Sequence, residues 1–362
     1  MKKSALILVS FVLLLFMMTG CSSSAPSPSG EFSGSPSSSG GKQEINLLIW
    51  TEYMPQEVLD GFEAETGIRV NIKTFSSIAD MYAMVKSAAP GTYDVIDAAG
   101  FYVQTMRDEG LIAKLDHTLI PNLSNLFEEY ANRAEDPGNE YTIPYQGAGA
   151  FICVNPALYE KEITKYEDLF DPDLENSLVL INDFRAIIGT VNLMLGFDFS
   201  ETDPAKLAQT KDKLMELKPN VKLLDSDSPK SAMLSGETSV GLIYNGEIAI
   251  AHEENPDLKI IYPEEGQYFG FDSLAITEAS SNKEAAHRFL NYVLDAEVSK
   301  VISQAFPYLN PNKAALQLMD DEYKNDGTKN IPPSVIAKGF SPEDLEADIL
   351  QIYNDIWTEF TK

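Results

Sequence analysis

The stretch INLLIWTEYMPQEVLDGFEAETGIRVNI, residues 45–72, sets the reading of this chain. Its first six residues, Ile45 to Trp50, form a short apolar run of strand length. Val58, Leu59 and Phe62 then recur at helical spacing, Gly67 ends the helix, and Ile68 to Ile72 form a second strand. Working outward, the pattern continues with a helical stretch from Met81 to Ala88, a strand from Tyr93 to Asp97, a helix from Val103 to Glu109 and a turn at Gly110. Alternation of this kind predicts an α/β fold with a parallel sheet. A second such pattern begins mid-chain, with strands at Ala150 to Asn155, Leu178 to Ile181 and Ser239 to Tyr244 and a helix from Ile187 to Leu195. Strand character returns at Ser273 to Thr277, followed by a helix from Lys283 to Leu294. A last helix, from about Pro342 to Phe360, carries one apolar stripe of Leu345, Ile349, Ile352, Tyr353 and Ile356.

The N-terminus reads as a secretion signal, residues 1–20. Lys2 and Lys3 precede an apolar run, Ala5 to Met18, that is too short to span a bilayer, and small residues sit just before Cys21. The run Met18-Thr19-Gly20-Cys21 resembles a bacterial lipobox, although Met18 departs from the usual leucine. That resemblance implies lipidation of Cys21 and a membrane anchor. Residues 22–43 are almost entirely Ser, Gly and Pro, a composition with too little apolar surface to order itself, so residues 21–43 read as an acylated cysteine and its tether. With Cys21 acylated, Cys153 has no intramolecular partner, and the fold must rest on its core. About 320 residues remain after the tether, more than one core usually organises, so two lobes are expected.

The formal net charge of -28 makes nucleic acid an unsuitable partner. A cleft with acidic walls would attract a cationic solute, whereas the plainer reading of surplus Asp and Glu is a solvated surface. The positions just past the strands separate these readings, because ligands in α/β sheets sit beyond the carboxyl ends of strands. Those positions hold Trp50-Thr51-Glu52-Tyr53, Asp97 to Tyr102, Asn182-Asp183, Tyr244-Asn245 and Asp272-Ser273. Several loops that each supply rings or carboxylates describe a recessed binding cleft.

The same segments resemble the spermidine/putrescine-binding proteins of ABC importers. The resemblance is carried by Trp50-Thr51-Glu52-Tyr53, Phe62 to Ile68, Tyr93-Asp94, Ile143-Pro144-Tyr145, Pro219-Asn220-Val221, Phe271 to Ile276 and Tyr308 to Ala315, in matching order from about Ile45 to the C-terminus. It implies a two-lobed, periplasmic-binding-protein-like α/β fold of type II with crossing hinge strands. Lobe one would comprise residues 44–148 plus 272–318, and lobe two residues 150–270 plus 319–362. It also implies an extracytoplasmic monomer that passes its solute to a membrane permease and ATPase, with no cofactor, no metal and no catalytic residue. Rings would cover the methylenes of a polyamine while carboxylates pair its ammonium groups, because buried ammonium without a counter-charge is prohibitive. Carried over by position, the substrate-binding residues are Trp50, Thr51, Glu52, Tyr53, Phe101, Asp183, Tyr244 and Asp272.

Departures from the family pattern bear on which amine is bound. Ala99, Gly100 and Phe101 replace a polar, tyrosine-bearing loop, Ala186 stands where a second carboxylate is usual, Tyr244 replaces tryptophan, and Gly270 opens volume where a ring normally sits. These changes favour putrescine, a differently shaped amine or another nitrogenous cation over spermidine. An amino-acid-like or quaternary amine is the alternative solute. A surface hydrolase using paired carboxylates is a weaker third reading, since no nucleophile motif or metal cluster accompanies them. Arg185 is expected to orient Asp183. Tyr102, Tyr145, Tyr268 and Phe269 line the cavity or simply pack. His117, His252 and His287 are scattered, and His287 is expected on a solvated helix face.

Overall fold

The computed structural model describes residues 43–362 apart from positions 132 and 344, and excludes the side chains of Phe101 and Glu129. The signal, Cys21 and the tether therefore lie outside the described residues. Among the described residues there are ten strands: β1 (Glu44–Trp50), β2 (Arg69–Phe75), β3 (Val95–Ala99), β4 (Thr142–Val154), β5 (Leu178–Leu180), β6 (Val221–Leu224), β7 (Val240–Tyr244), β8 (Lys259–Ile261), β9 (Gln267–Ile276) and β10 (Gly339–Phe340). They join in the order β2-β1-β3-β9-β4-β7-β5-β6, with β8 on β4 and β10 on β9.

The opening stretch folds as its pattern predicts. Helix Gln56–Thr66 buries Val58, Leu59 and Phe62, and ends at Gly67, whose φ of 73° lets its N–H close on Glu63 O. Apart from Asn46, the run Ile45 to Ile49 is apolar because both faces of β1 are covered. Ile45, Leu47 and Ile49 face one cluster with Phe62, Leu274 and Phe289, while Leu48 faces another with Met81, Ile96 and Met106. These clusters form the core of a first lobe. A separate cluster, built on Phe151, Leu178, Leu180, Ile188, Leu242, Tyr353 and Phe360, forms the core of a second.

The sheet is mixed rather than wholly parallel. The crossover strands of each lobe are parallel, β1 with β2 and β3, and β5 with β6 and β7. Among the described strands each antiparallel pair involves β4, β9 or both, the two strands common to both lobes. From Thr142 to Gly149, β4 pairs with β9, and from Ala150 to Val154 it pairs with β7. In turn β9 pairs with β3 over Asp272 to Ile276. A parallel sheet was the wrong expectation because strand–helix alternation reports only local crossovers, whereas β4 and β9 arrive from distant sequence.

Strand β4 also starts eight residues earlier than its pattern suggests, since Pro144, Gly147 and Gly149 read as breakers. Pro144 sits at a register shift before Gln146, where a missing N–H does little harm. Gly147 is required by close approach, because a Cβ there would lie 2.9 Å from the Phe271 ring and 3.0 Å from Leu309. The last helix is shorter than expected, Ala347–Thr361. The segment before it is held otherwise: Ser341 Oγ donates to Phe269 O at 2.7 Å, and Glu343 N–H donates to Ser200 Oγ at 2.9 Å.

Candidate functional site

Between the two cores lies a narrow cavity of about 30 Å³, space for one or two waters. It adjoins an outer chamber of about 380 Å³, with Trp50, Ile78, Asp183, Ser226 and Tyr244 lining both. The first lobe contributes Trp50, Thr51 and Tyr53 to the inner cavity, the second Asp183, Asp227 and Tyr244, and the crossing strand β9 contributes Tyr268, Gly270 and Asp272. Rings and carboxylates thus line one space.

Each acid is positioned by its element. Asp183 follows β5 and caps helix Phe184–Met194, accepting from the N–H groups of Arg185 at 2.9 Å and Ala186 at 3.1 Å. Burial raises its pKa, and these backbone bonds, the Arg185 charge and the Tyr244 hydroxyl pull back. Asp272 lies on β9 opposite Ala99 of β3 and Gln146 of β4, and its Oδ2 accepts from the Tyr53 hydroxyl at 2.8 Å. Asp227, in the loop after β6, lines the same cavity as Thr51 of the other lobe. Burial raises its pKa too.

Behind this wall Asp97 of β3 is fully buried, and neither carboxylate oxygen has a hydrogen-bond partner among the described residues. Burial, followed by the Asp272 charge, pushes the Asp97 carboxyl well above the usual carboxylate range. Asp272 is also raised, by burial first and against the pull of Tyr53 and Arg133. The Arg133 guanidinium donates to Ser273 Oγ at 2.6 Å and lies 5.1 Å from the Phe271 ring centroid.

The rings interlock. Trp50 tilts against Phe75 at 4.6 Å between centroids, and Tyr53 meets Tyr145 and Tyr308 edge-on at 5.5 and 5.1 Å. Tyr145 is packing rather than lining, since its hydroxyl donates to Tyr53 O at 2.7 Å. Tyr102 lines the outer chamber, stacked on Tyr82. Gly270 leaves no open volume: a Cβ there would meet the Tyr268 hydroxyl at 2.9 Å, so Tyr268 fills the place expected to be vacant.

Of the eight carried-over residues, Trp50, Thr51, Tyr53, Asp183, Tyr244 and Asp272 line the inner cavity. The Phe101 side chain lies outside the described residues. Glu52 does not line that cavity: with a backbone φ of 50°, its Oε2 pairs with Lys230 Nζ of the second lobe at 2.7 Å. The Arg185 guanidinium donates to Glu343 O and Ser200 Oγ, so the backbone N–H of Arg185 orients Asp183. His287 is buried rather than solvated, its Nε2 accepting from Asp116 N–H at 2.9 Å and Nδ1 facing Lys283 O at 2.6 Å. Asp227, Ser226 and Ile78 were not selected from sequence. Asp227 lies in the loop Asp225-Ser226-Asp227 just past β6, so the strand-end rule reaches it once Val221–Leu224 is recognised as a strand. Among the described residues no group of three or more His, Cys, Asp or Glu side chains is placed to hold a metal ion.

Two lobes sharing crossing strands, with a recessed cleft of rings and acids between them, define the class of proteins that hold a small solute between closing halves. The model of the bacterial extracellular solute-binding protein family matches residues 57–330. The spermidine/putrescine-binding periplasmic protein of Salmonella typhimurium is 36% identical over 309 residues, covering 85% of this chain and 88% of that protein. Its namesake in Escherichia coli is 36% identical over 299 residues, covering 82% and 86%. The crystal structure of the substrate-binding protein of a spermidine/putrescine ABC transporter from Streptococcus pneumoniae superposes with a TM-score of 0.77 at 28% identity, over 88% of this chain and 98% of that one. This chain belongs to the bacterial extracellular solute-binding protein family.

Proposed function

We propose that this protein captures a small polyamine in the interlobe cleft and delivers it to a membrane permease driven by an ATPase, performing no chemistry on it. The observation that carries this reading is the composition of one cavity, which Asp183, Asp227 and Asp272 line together with Trp50, Tyr53, Tyr244, Tyr268 and Tyr308. Ammonium groups need carboxylates and methylenes need ring faces, and a polyamine alternates the two. The names of the Salmonella and Escherichia relatives agree with it.

Capture proceeds by closure. The amine enters an open cleft, touches Trp50 and Tyr53 on one lobe and Asp183 and Tyr244 on the other, and favours the closed form to the extent that it bonds both. The lobes in this reading are residues 44–148 plus 272–318 and 150–270 plus 319–362, with β4 and β9 as the hinge, and the split of the buried core supports that division. The protein works outside the cytoplasm as a monomer held to the membrane by lipid on Cys21. Metabolic labelling with palmitate should mark the wild type and not a Cys21→Ser variant.

Isothermal titration with putrescine, cadaverine and spermidine tests the solute assignment, and native mass spectrometry of the protein as purified tests it independently. Heat with none of the three, together with no co-purified mass, refutes it. The second reading, an amino-acid-like solute, is favoured by Arg185 on the wall of the outer chamber beside Asp183. Heat with such a solute and not with the amines would establish it.

A further inference from the structure

Glu52 carries the strand-end carboxylate expected to grip a ligand ammonium, yet an ammonium of the protein's own already faces it. Lys230, on the short helix Lys230–Leu234 of the second lobe, has only 10% of its side chain exposed. Its three donor protons have three partners: Glu52 Oε2 at 2.7 Å, the Glu247 carboxylate at 3.0 Å and Ser228 Oγ at 3.3 Å. Glu247 is itself buried, at 3% exposure, and its helix begins directly after the cavity residue Tyr244.

The cluster abuts one end of the inner cavity. Thr51 and Asp227, which line that cavity, are chain neighbours of Glu52 and Ser228. The Tyr308 ring stands between, beside a charge field made by Glu247 and Glu52 as well as Asp272 and Asp227. A solute long enough to place a third ammonium at Glu52 would have to displace Lys230 or lie next to it. Displacement leaves a buried lysine with one fewer carboxylate, and close approach sets two like charges together in a site shielded from water.

We propose that Lys230 is a specificity-determining residue, a built-in ammonium that neutralises Glu52, caps the Tyr308 end of the cavity and restricts the solute to a diamine. The proposal rests on the amine reading given above. It leaves Asp183 and Asp227 of the second lobe and Asp272 of the hinge strand, all lining the inner cavity, as the charges a two-ended guest meets.

The test compares putrescine with spermidine by titration on the full chain. Wild type should bind the diamine at least tenfold more tightly than the triamine. A Lys230→Met, Glu247→Gln double variant, which leaves no buried lone charge, should shift that ratio tenfold or more toward the triamine. Should the double variant not melt cooperatively, Lys230→Gln, which keeps a donor for Glu52 and Glu247 without the charge, should shift the ratio the same way. A wild type that prefers the triamine, or a ratio unchanged within threefold in the folded variant, overturns the proposal while leaving the amine reading standing. Absence of binding by either amine to the wild type overturns both.

Discussion

Replacing Asp272 by asparagine separates the two roles of a buried binding carboxylate. The amide oxygen can still accept from the Tyr53 hydroxyl, now 2.8 Å away, and Arg133 keeps Ser273 and Glu135. What disappears is one negative charge. A hydrogen bond to a charged group contributes roughly 1.5–3 kcal/mol, and stripping a buried ion of its partner costs about 3–5 kcal/mol. Asp183 and Asp227 remain in the same cavity to share an ammonium, so a loss of roughly 2–3 kcal/mol is expected, about 30- to 150-fold in Kd. The ligand-free protein should respond in the opposite sense. Burial holds Asp272 above its unfolded value, so its stabilising contribution is present only when it is protonated and is lost as pH rises through the folded pKa. At pH 7.5 the ionised carboxylate is a net cost, and removing it should raise the melting temperature. Titration with putrescine and a thermal scan of the ligand-free protein at pH 7.5 give both numbers. An affinity within threefold of wild type, or a lowered melting temperature, would refute the reasoning.

Two further outcomes follow from the same site. An ammonium guest needs ionised carboxylates, and Asp183 and Asp272 are both raised by burial, so affinity should fall as pH drops from 7 toward 5, by up to about tenfold per pH unit for each proton taken up; a flat titration series over pH 7.5, 6.5 and 5.5 contradicts this. Gly246→Ala places a methyl 2.4 to 2.6 Å from three atoms of the Tyr308 ring, so it should cost roughly 1–3 kcal/mol in chemical denaturation and weaken amine binding by moving a cavity wall. Binding of wild-type strength in that variant would mean that the Tyr308 ring does not shape the site.

The parts of this molecule that were legible in sequence are those governed by local pattern. The apolar run Ile45 to Ile49 and the spacing of Val58, Leu59 and Phe62 give the first crossover directly, and the strand-end rule finds Trp50, Asp183, Tyr244 and Asp272 because each follows or sits within a strand. What was not legible depends on partners far away in the chain. Gly147 and Gly149 look like breakers until Phe271, Leu309 and the Phe151 ring are seen to occupy the space. Gly270 reads as a hole, and Tyr268, two residues earlier on the same face of β9, fills it. Asp227 follows a strand of four residues, too short to register as one, and Tyr308 is brought in by the pairing of Leu309 with Gly147. Glu52 and Lys230 are 178 residues apart, and no spacing rule links them.

That last pair also bears on how the cleft closes without a solute. Glu52 belongs to one lobe and Lys230 to the other, so their bond exists only when the lobes are together and favours closure in the empty protein. Glu52 is 53% exposed, which screens the interaction, while Lys230 is 10% exposed, which strengthens it, so the pair should contribute about 0.5–1 kcal/mol. Removing it with Glu52→Gln should lower the ratio of closed to open molecules roughly two- to fivefold, since 1.4 kcal/mol is a factor of ten. Dyes on Asp60→Cys and Glu216→Cys, both exposed on helices of opposite lobes, would report the separation, because Cys153 is buried with its thiol pushed up to about 12 and stays unlabelled. A solute that bonds both lobes should then close wild type and variant to the same distance. The two ligand-free distributions should differ, the variant extending to longer distances. Identical ligand-free distributions would mean that the ion pair follows closure without contributing to it, and that the energy for closing comes from the solute alone.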